Sequence, residues 1–383
     1  MLDHMALPDL PIDTEAMLAG LREWVECESP TWDAGAVNRM LDLACRDLAL
    51  MGAAIERIPG APEPSGVMMG GMVRARLPHP RMGEPGITIM GHFDTVHPVG
   101  TLGVNPFRIE GDKAWGPGIF DMKGGNFLAL EALRQLAAAG MQTPLPVTVL
   151  FTPDEEIGSP TSRALIEAEA ARARYVLVPE PGKQGGGITT GRYAIARFNL
   201  TTTGKPSHAG ARLSEGRSAI REMCKRILQI EAMTDDDCTF SVGVLHSGQW
   251  VNCVSSQARG EALSMAKRQE DLDRGVAAML ALSDADTGFQ VTRGLTRPVW
   301  EPSEATLSLA AHVETLHKAV GLGFSHQSQG GGSDGNFTGA MGVPTLDGLG
   351  VEGDGAHTLD EHIDIPSLPA RARVMAGLLA GLS

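Results

Sequence analysis

Three times in its first half the chain passes through a short apolar run rich in β-branched residues and breaks off into carboxylates or histidine. Ile87-Thr88-Ile89-Met90 leads into Gly91-His92-Phe93-Asp94-Thr95-Val96, Pro146–Phe151 into Thr152-Pro153-Asp154-Glu155-Glu156, and Tyr175–Val178 into Pro179-Glu180. Such runs read as buried strands, and amphipathic helical patterns fall around them at Thr14–Val25, Asn38–Met51, Gly125–Gly140 and Ser162–Arg172. Two more strand-like runs lie at Ala53–Ile58 and Val67–Leu77. Strand and helix in alternation imply an α/β layer architecture on a mixed, largely parallel sheet. In such sheets the working residues collect beyond the carboxyl ends of the strands. His92 and Asp94 stand two apart at one of those ends, so their side chains share a face.

With 383 residues the chain exceeds the size at which one core stops growing, so two domains are expected. Near Gly191 the rhythm changes. Arg192–Thr203 reads as a strand, Glu215–Met233 as a helix, Thr239–Leu245 and Cys253–Met265 as strands, Asp271–Leu282 as a helix and Phe289–Gly294 as a strand. That βαββαβ order is a ferredoxin-like α+β unit. Helical patterns at Glu304–Ala319 and Leu368–Leu382 then resume the first rhythm. The expectation is a discontinuous α/β domain over residues 1–190 and 300–383, with a ferredoxin-like domain inserted over 191–299.

Charge and composition exclude several functions. The formal net charge is −14 and no Lys/Arg run occurs, which argues against a nucleic-acid partner. No apolar stretch reaches the length of a membrane span, and the N-terminus lacks a basic, apolar leader, so no membrane association is expected. Cys27, Cys45, Cys224, Cys238 and Cys253 are odd in number and widely spaced, the pattern of reduced, mostly buried thiols in a cytoplasmic protein. The triple glycines Gly185–Gly187 and Gly330–Gly332 match no phosphate-binding loop, and Ser207-His208 comes without a nucleophile elbow.

Strand ends and turns bring a donor set of His92, Asp121, Glu156, Glu180 and His357: two imidazoles, three carboxylates and no thiolate. That mixture suits two adjacent borderline cations such as Zn²⁺, bridged by one carboxylate. Glu155 and Glu156 are consecutive and diverge, so one can bind a cation while the other faces its water and moves a proton. Glu-Glu also suits a helix's first turn, and both readings stand together.

Gly91-His92-Phe93-Asp94-Thr95-Val96, Gly118-Ile119-Phe120-Asp121-Met122-Lys123-Gly124-Gly125, Asp154-Glu155-Glu156-Ile157-Gly158, Glu180-Pro181 and His357-Thr358-Leu359-Asp360-Glu361 resemble the ordered motifs of one family. It is the zinc-dependent metallopeptidase family of carboxypeptidase G (glutamate carboxypeptidase), acetylornithine deacetylase, succinyl-diaminopimelate desuccinylase and the aminoacylases. The resemblance spans essentially the whole chain, and Gly204-Lys205-Pro206-Ser207-His208-Ala209-Gly210 is most similar to the carboxypeptidase G branch. It implies two Zn²⁺ per subunit, with Co²⁺ or Mn²⁺ as alternatives. His92 and Glu180 would hold one ion, Glu156 and His357 the other, and Asp121 would bridge them beside a cis peptide to Met122. It further implies Glu155 as general base and acid, Asp94 as the residue orienting His92, and an inserted domain serving as lid and dimerisation domain. In the implied homodimer His208 would stabilise the oxyanion in the partner's site. Asn252, Gly331 and Gly332 would contact substrate.

Met265 and Ser328 stand where relatives place arginines that hold a substrate carboxylate, which opens the choice of substrate. Lys267, Arg192, Arg212 and Arg217 read as solvated surface cations. The implied reaction is amide hydrolysis of a small peptide, with an N-acyl amino acid or a cyclic-amide or carbamoyl substrate as alternatives. A non-enzymatic binding protein would lack a ligand or Glu155, and neither is missing.

Overall fold

Every residue of the Gly86–His92 strand is buried, on both faces. A strand with that pattern belongs in the middle of a sheet with layers packed on either side. In the computed structural model, which describes residues 6–383, it lies inside a six-stranded sheet. The order is Ala54–Ile58, Met72–Arg76, Val147–Thr152, Gly86–His92, Ala173–Leu177 and Thr345–Leu346. Gly86–His92 runs parallel to both neighbours, and Thr345–Leu346 parallel to Ala173–Leu177, while the Ala54–Ile58 and Met72–Arg76 side is antiparallel. The sheet is thus mixed and largely parallel.

Strand alternation divides the core in two. Ile87, Ile89, Val147, Val149, Phe151 and Leu177 join the larger cluster, and Met90, Leu150, Val176 and Val178 join a smaller one with Ile166, Ala170 and Phe337. In the larger cluster Trp24 meets Phe93 and Phe127 edge-on, each with centroids 5.2 Å apart. Its indole N–H donates to Asp47 Oδ2 at 3.1 Å, so the buried polar atom is satisfied. Helix Gly124–Ala138 packs against the C-terminal helix Ser367–Gly381.

The chain divides into two compact units: residues up to Gly191 with Glu301–Ser328 and Ser333–Ser383, and Arg192–Trp300 with Gln329–Gly332. In the second, an antiparallel sheet runs in the order Cys238–Ser247, Gln257–Ala266, Ala194–Thr203, Phe289–Arg297. Ala194–Thr203 buries alternate residues, the mark of one covered and one open face, and helices Ala219–Glu231 and Gln269–Ala281 supply the cover. The first of these helices starts later than its sequence pattern, because Ser218 caps it by accepting from Arg221 N.

Other expectations are corrected. The Val67–Leu77 run pairs in the sheet only over Met72–Arg76, and Cys253–Met265 becomes regular only from Gln257. A small sheet of Arg108–Glu110, Lys113–Trp115, His362–Asp364 and Gly353–Asp354 has strands too short to show a period. The cysteines are all free but not mostly buried: only Cys238 is buried, and Cys224 and Cys253 are exposed. Among the described residues no helix is long and apolar enough to cross a membrane.

Candidate active site

His92 closes its strand, and the backbone there is gripped from the Gly124–Ala138 helix, where Asn126 Nδ2 donates to His92 O at 2.7 Å. The approach requires glycine at 91, since a Cβ would fall 2.0 Å from Asn126 Oδ1. Gly125 plays the same part against the strand end that carries Glu180, a Cβ there meeting Pro179 O at 1.8 Å. Asp121 stands just before this helix, with a cis peptide to Met122. Glu155 and Glu156 form a short turn after Val147–Thr152, and His357 sits in a turn closed by Thr358, whose N–H and hydroxyl both donate to Gly355 O. His357 takes a left-handed φ of 65°, a conformation that costs a side-chain-bearing residue about 1–2 kcal/mol.

These segments converge. His92 Nε2 lies 3.3 Å from Asp121 Oδ1, 3.7 Å from Glu180 Oε1 and 4.0 Å from Glu155 Oε2. His357 Nε2 lies 3.3 Å from Asp121 Oδ2 and 3.2 Å from Glu156 Oε2. Two groups result, His92–Asp121–Glu180 and Asp121–Glu156–His357, each with ligand atoms within 4.8 Å of one another and with Asp121 common to both. His92 Nδ1 faces Asp94 O at 2.9 Å; with the proton there, the Nε2 lone pair points at the carboxylates.

Electrostatically the cluster is unsatisfied. His92 Nε2, Asp121 Oδ1 and Glu156 Oε1 are buried without a hydrogen-bond partner. Burial lifts the carboxyls of Glu180 and Glu156 above their ordinary range, Glu180 the further, and the Asp121 charge adds to both. Burial works on Asp121 in the same sense, yet the two imidazoles hold it well below the carboxylate range. His92 is pulled down by burial but ends well above its ordinary value beside Asp121, Asp94 and Glu180, and His357 rises to about 10 beside Asp121 and Glu156. Converging orphaned oxygens and imidazole nitrogens, with no thiolate, fit divalent cations of borderline hardness.

Two carboxylates brace the cluster from behind. Asp94 accepts from the backbone N–H of Glu155 at 3.1 Å and of Glu156 at 3.2 Å, and from Thr31 Oγ1 at 2.9 Å, so it ties the His92 strand end to the Glu155–Glu156 turn. Its own carboxylate is 3.4 Å from His92 Nδ1, farther than its carbonyl. Glu361, fully buried, accepts from the N–H groups of Gly118, Phe120 and Asp121 at 2.8–2.9 Å and from His97 at 2.7 Å. Sequence reasoning assigns Glu361 no role; its signal there is its place at the end of the His357–Glu361 motif.

The remaining expected residues lie in the second unit. His208 is exposed, and its Nδ1 accepts from the N–H of Gly210 and Ala211 at 3.2 and 3.1 Å, which leaves the neutral ring's proton on Nε2. Asn252 is on the adjacent segment, its carbonyl accepting from Ala209 N at 2.9 Å. Gly331, with φ 80°, accepts at its carbonyl from Arg192 at 3.3 Å, and a Cβ on Gly332 would meet Arg297 Cδ at 2.6 Å. Arg192 is therefore corrected from surface cation to buried arginine, 7% exposed, and Arg297, 5% exposed, joins it beside the glycine loop. Arg212, Lys267 and Arg217 do lie at the surface, the first two near Glu215 and Asp237 and Arg217 donating to Asp286 O and Thr203 O.

Comparison with known proteins points the same way. The family model described as peptidase family M20/M25/M40 matches residues 88–381. Carboxypeptidase G2 of Pseudomonas sp. (strain RS-16) is 33% identical over 379 residues, covering 96% of this chain and 89% of that one. Succinyl-diaminopimelate desuccinylase of Xanthomonas campestris pv. campestris (strain 8004) is 26% identical over 318 residues, 76% and 83% of the respective chains. In fold, the crystal structure of aminopeptidase PepT from Bacillus cereus ATCC 10987 matches with a TM-score of 0.73 at 22% identity, covering 96% of this chain and 98% of that one.

Proposed function

This chain belongs to peptidase family M20/M25/M40, and from that premise we propose that it is a dinuclear zinc hydrolase cleaving an amide bond in a small peptide or an N-acyl amino acid. The enzyme is a metallopeptidase of that family, and likeness to carboxypeptidase G2 favours a carboxypeptidase reaction. One observation carries the reading: two donor groups that share Asp121, with orphaned buried atoms turned into both. His92 and Glu180 would hold one cation, Glu156 and His357 the other, and Asp121 would bridge. Bound there, divalent zinc supplies Lewis acidity toward a carbonyl and lowers the pKa of water toward 7.

The protein's own residues do the rest. Glu155, buried beside His92, takes the proton of the attacking water and returns it to the leaving amine. Asp94 and Glu361 hold the turns that carry Glu155, Glu156 and Asp121. His208, with Nε2–H as donor, stabilises the carbonyl oxygen as charge develops, acting across a homodimer whose inserted domain (residues 191–299) is lid and dimerisation domain to the catalytic domain of 1–190 and 300–383. Asn252 and the amides of Gly331 and Gly332 contact substrate. Five free cysteines suit a reducing cytoplasm.

The test is direct. Glu155→Ala should abolish hydrolysis of dipeptides and N-acyl amino acids while elemental analysis still finds two zinc ions per subunit; residual turnover near wild type overturns the assignment. Mixing Glu155→Ala with His208→Ala subunits should restore part of the activity if His208 serves the partner's site.

A further inference from the structure

Beside the cation cluster, and wholly within the first unit, lies an open cavity of about 410 Å³. Its walls are Pro30, Thr31, Trp32, Val96, Pro98, Val99 and Ile157, and its polar edge is Asp33, Thr95 and Glu156. Glu156 is one of the five cluster donors, so cavity and cluster are continuous. The walls are preformed. Thr31 N donates to Thr95 O and Thr95 N to Ser29 O, at 3.1 and 2.9 Å, and Ser29 Oγ holds Phe93 O at 2.6 Å. Glu28 secures the following loop by accepting from Gly100 N and Leu102 N at 2.8 and 2.9 Å. Within this rigid frame Trp32 and Val99 are each 58% exposed and Val96 43%, large apolar side chains left facing water next to a catalytic cluster.

Charge decides what such a cavity accepts. Its lining contains the carboxylates Asp33 and Glu156 and no lysine, arginine or histidine. With Glu156 assigned to a cation, Asp33 is the remaining charge of the lining, and an acidic side chain packed beside it would be desolvated against like charge with no lysine, arginine or histidine of the lining to pair it. A neutral ring or branched chain would cover Trp32, Val96 and Val99 without such a cost. The volume falls within the usual range for small-molecule sites, roughly 300–1,000 Å³.

We propose that this cavity is a side-chain subsite that selects a neutral aromatic or branched aliphatic group on the substrate beside the scissile amide. The inference rests on the amide-hydrolase reading and names its substrate class.

The experiment compares N-phenylacetylglycine with N-succinylglycine, in zinc-loaded wild type, Trp32→Ala and Val99→Arg proteins. In wild type kcat/KM should favour the phenylacetyl compound by at least tenfold, the discrimination an apolar pocket gives per missing group. Trp32→Ala should erase most of that preference by lowering kcat/KM for the phenylacetyl compound, with zinc content unchanged. Val99→Arg, which adds the missing cation, should raise the succinyl rate. Both positions are exposed, so the variants keep the core intact. Hydrolysis without preference, or a preference indifferent to both substitutions, overturns the subsite while leaving the amide-hydrolase reading in place. If neither compound is hydrolysed, that reading falls, and calorimetry with the same two compounds decides the cavity. Saturable phenylacetylglycine binding lost in Trp32→Ala upholds it, and no binding overturns it. A drop in oligomer mass on Trp32→Ala substitution would give the patch to a second copy of the chain and overturn the proposal.

Discussion

His92 and His208 are assigned to one reaction and held in opposite ways. His92 is 1% exposed at the end of an interior strand, its backbone bonded to Asn126 and its ring fixed against Asp94, with four carboxylates around it. His208 is exposed on a loop and fixed through one ring nitrogen by two backbone N–H groups. The contrast follows from the tasks. A cation site gains affinity from donors that cannot relax, and the Glu361 and Asp94 carboxylates supply that stiffness by gathering backbone N–H groups from the turns. A donor that meets the substrate only as charge develops needs a fixed tautomer more than a fixed position.

The contrast can be broken in three places. Glu155→Ala should cost the most, about 10²–10⁴ in kcat, with metal content unchanged by elemental analysis. His208→Ala should lower kcat by about 10²–10³, again with full metal, and a loss of metal would show that His208 shares the structural duty of His92. Glu361→Gln replaces an acceptor by an NH₂ group that faces the N–H donors of Gly118, Phe120 and Asp121. It should weaken metal binding by about 10–100-fold in a chelator competition, while the equivalent loss should not appear for His208→Ala.

The smallest effect concerns His317, a buried histidine outside the site. Burial and the Arg371 charge depress it to about 4. Its folded pKa lies below the unfolded value of about 6.5, so the unfolded chain takes up the proton first and stability falls as pH drops from 6.5 toward 4. Denaturant unfolding should show a loss of about 1 kcal/mol per pH unit between pH 6 and 5, absent in His317→Gln.

What the sequence made visible follows from range. Strand ends bearing His92, Glu155–Glu156 and Glu180 are legible because a short continuous apolar run rich in β-branched residues marks both a buried strand and its end. Asp121 and His357 are legible as donors by residue type, and their division between two cations only through resemblance, since the strands before them, Lys113–Trp115 and Gly353–Asp354, are too short to show a period. The role of Glu361 is not legible because its three backbone partners lie more than two hundred residues earlier. Arg192 reads as a surface cation for a related reason: arginine is ordinarily solvated, and only tertiary packing buries it beside Gly331. The Trp32 cavity is lined from three separate segments, and no local pattern announces it.

The Glu361 clamp also sets an order of events during synthesis. Domains form from the N-terminus as the chain emerges, at roughly 5–20 residues per second. His92, Asp121, Glu156 and Glu180 are therefore made long before His357 and Glu361. Until the last segment arrives, the Gly118–Asp121 turn lacks the carboxylate that gathers its N–H groups, and Asp121 and Glu156 lack His357. Synthesis of the segment that carries His357 and Glu361, rather than folding of the sheet, is then the step that completes the five-donor cluster, and without that segment the His92–Asp121–Glu180 group stands alone.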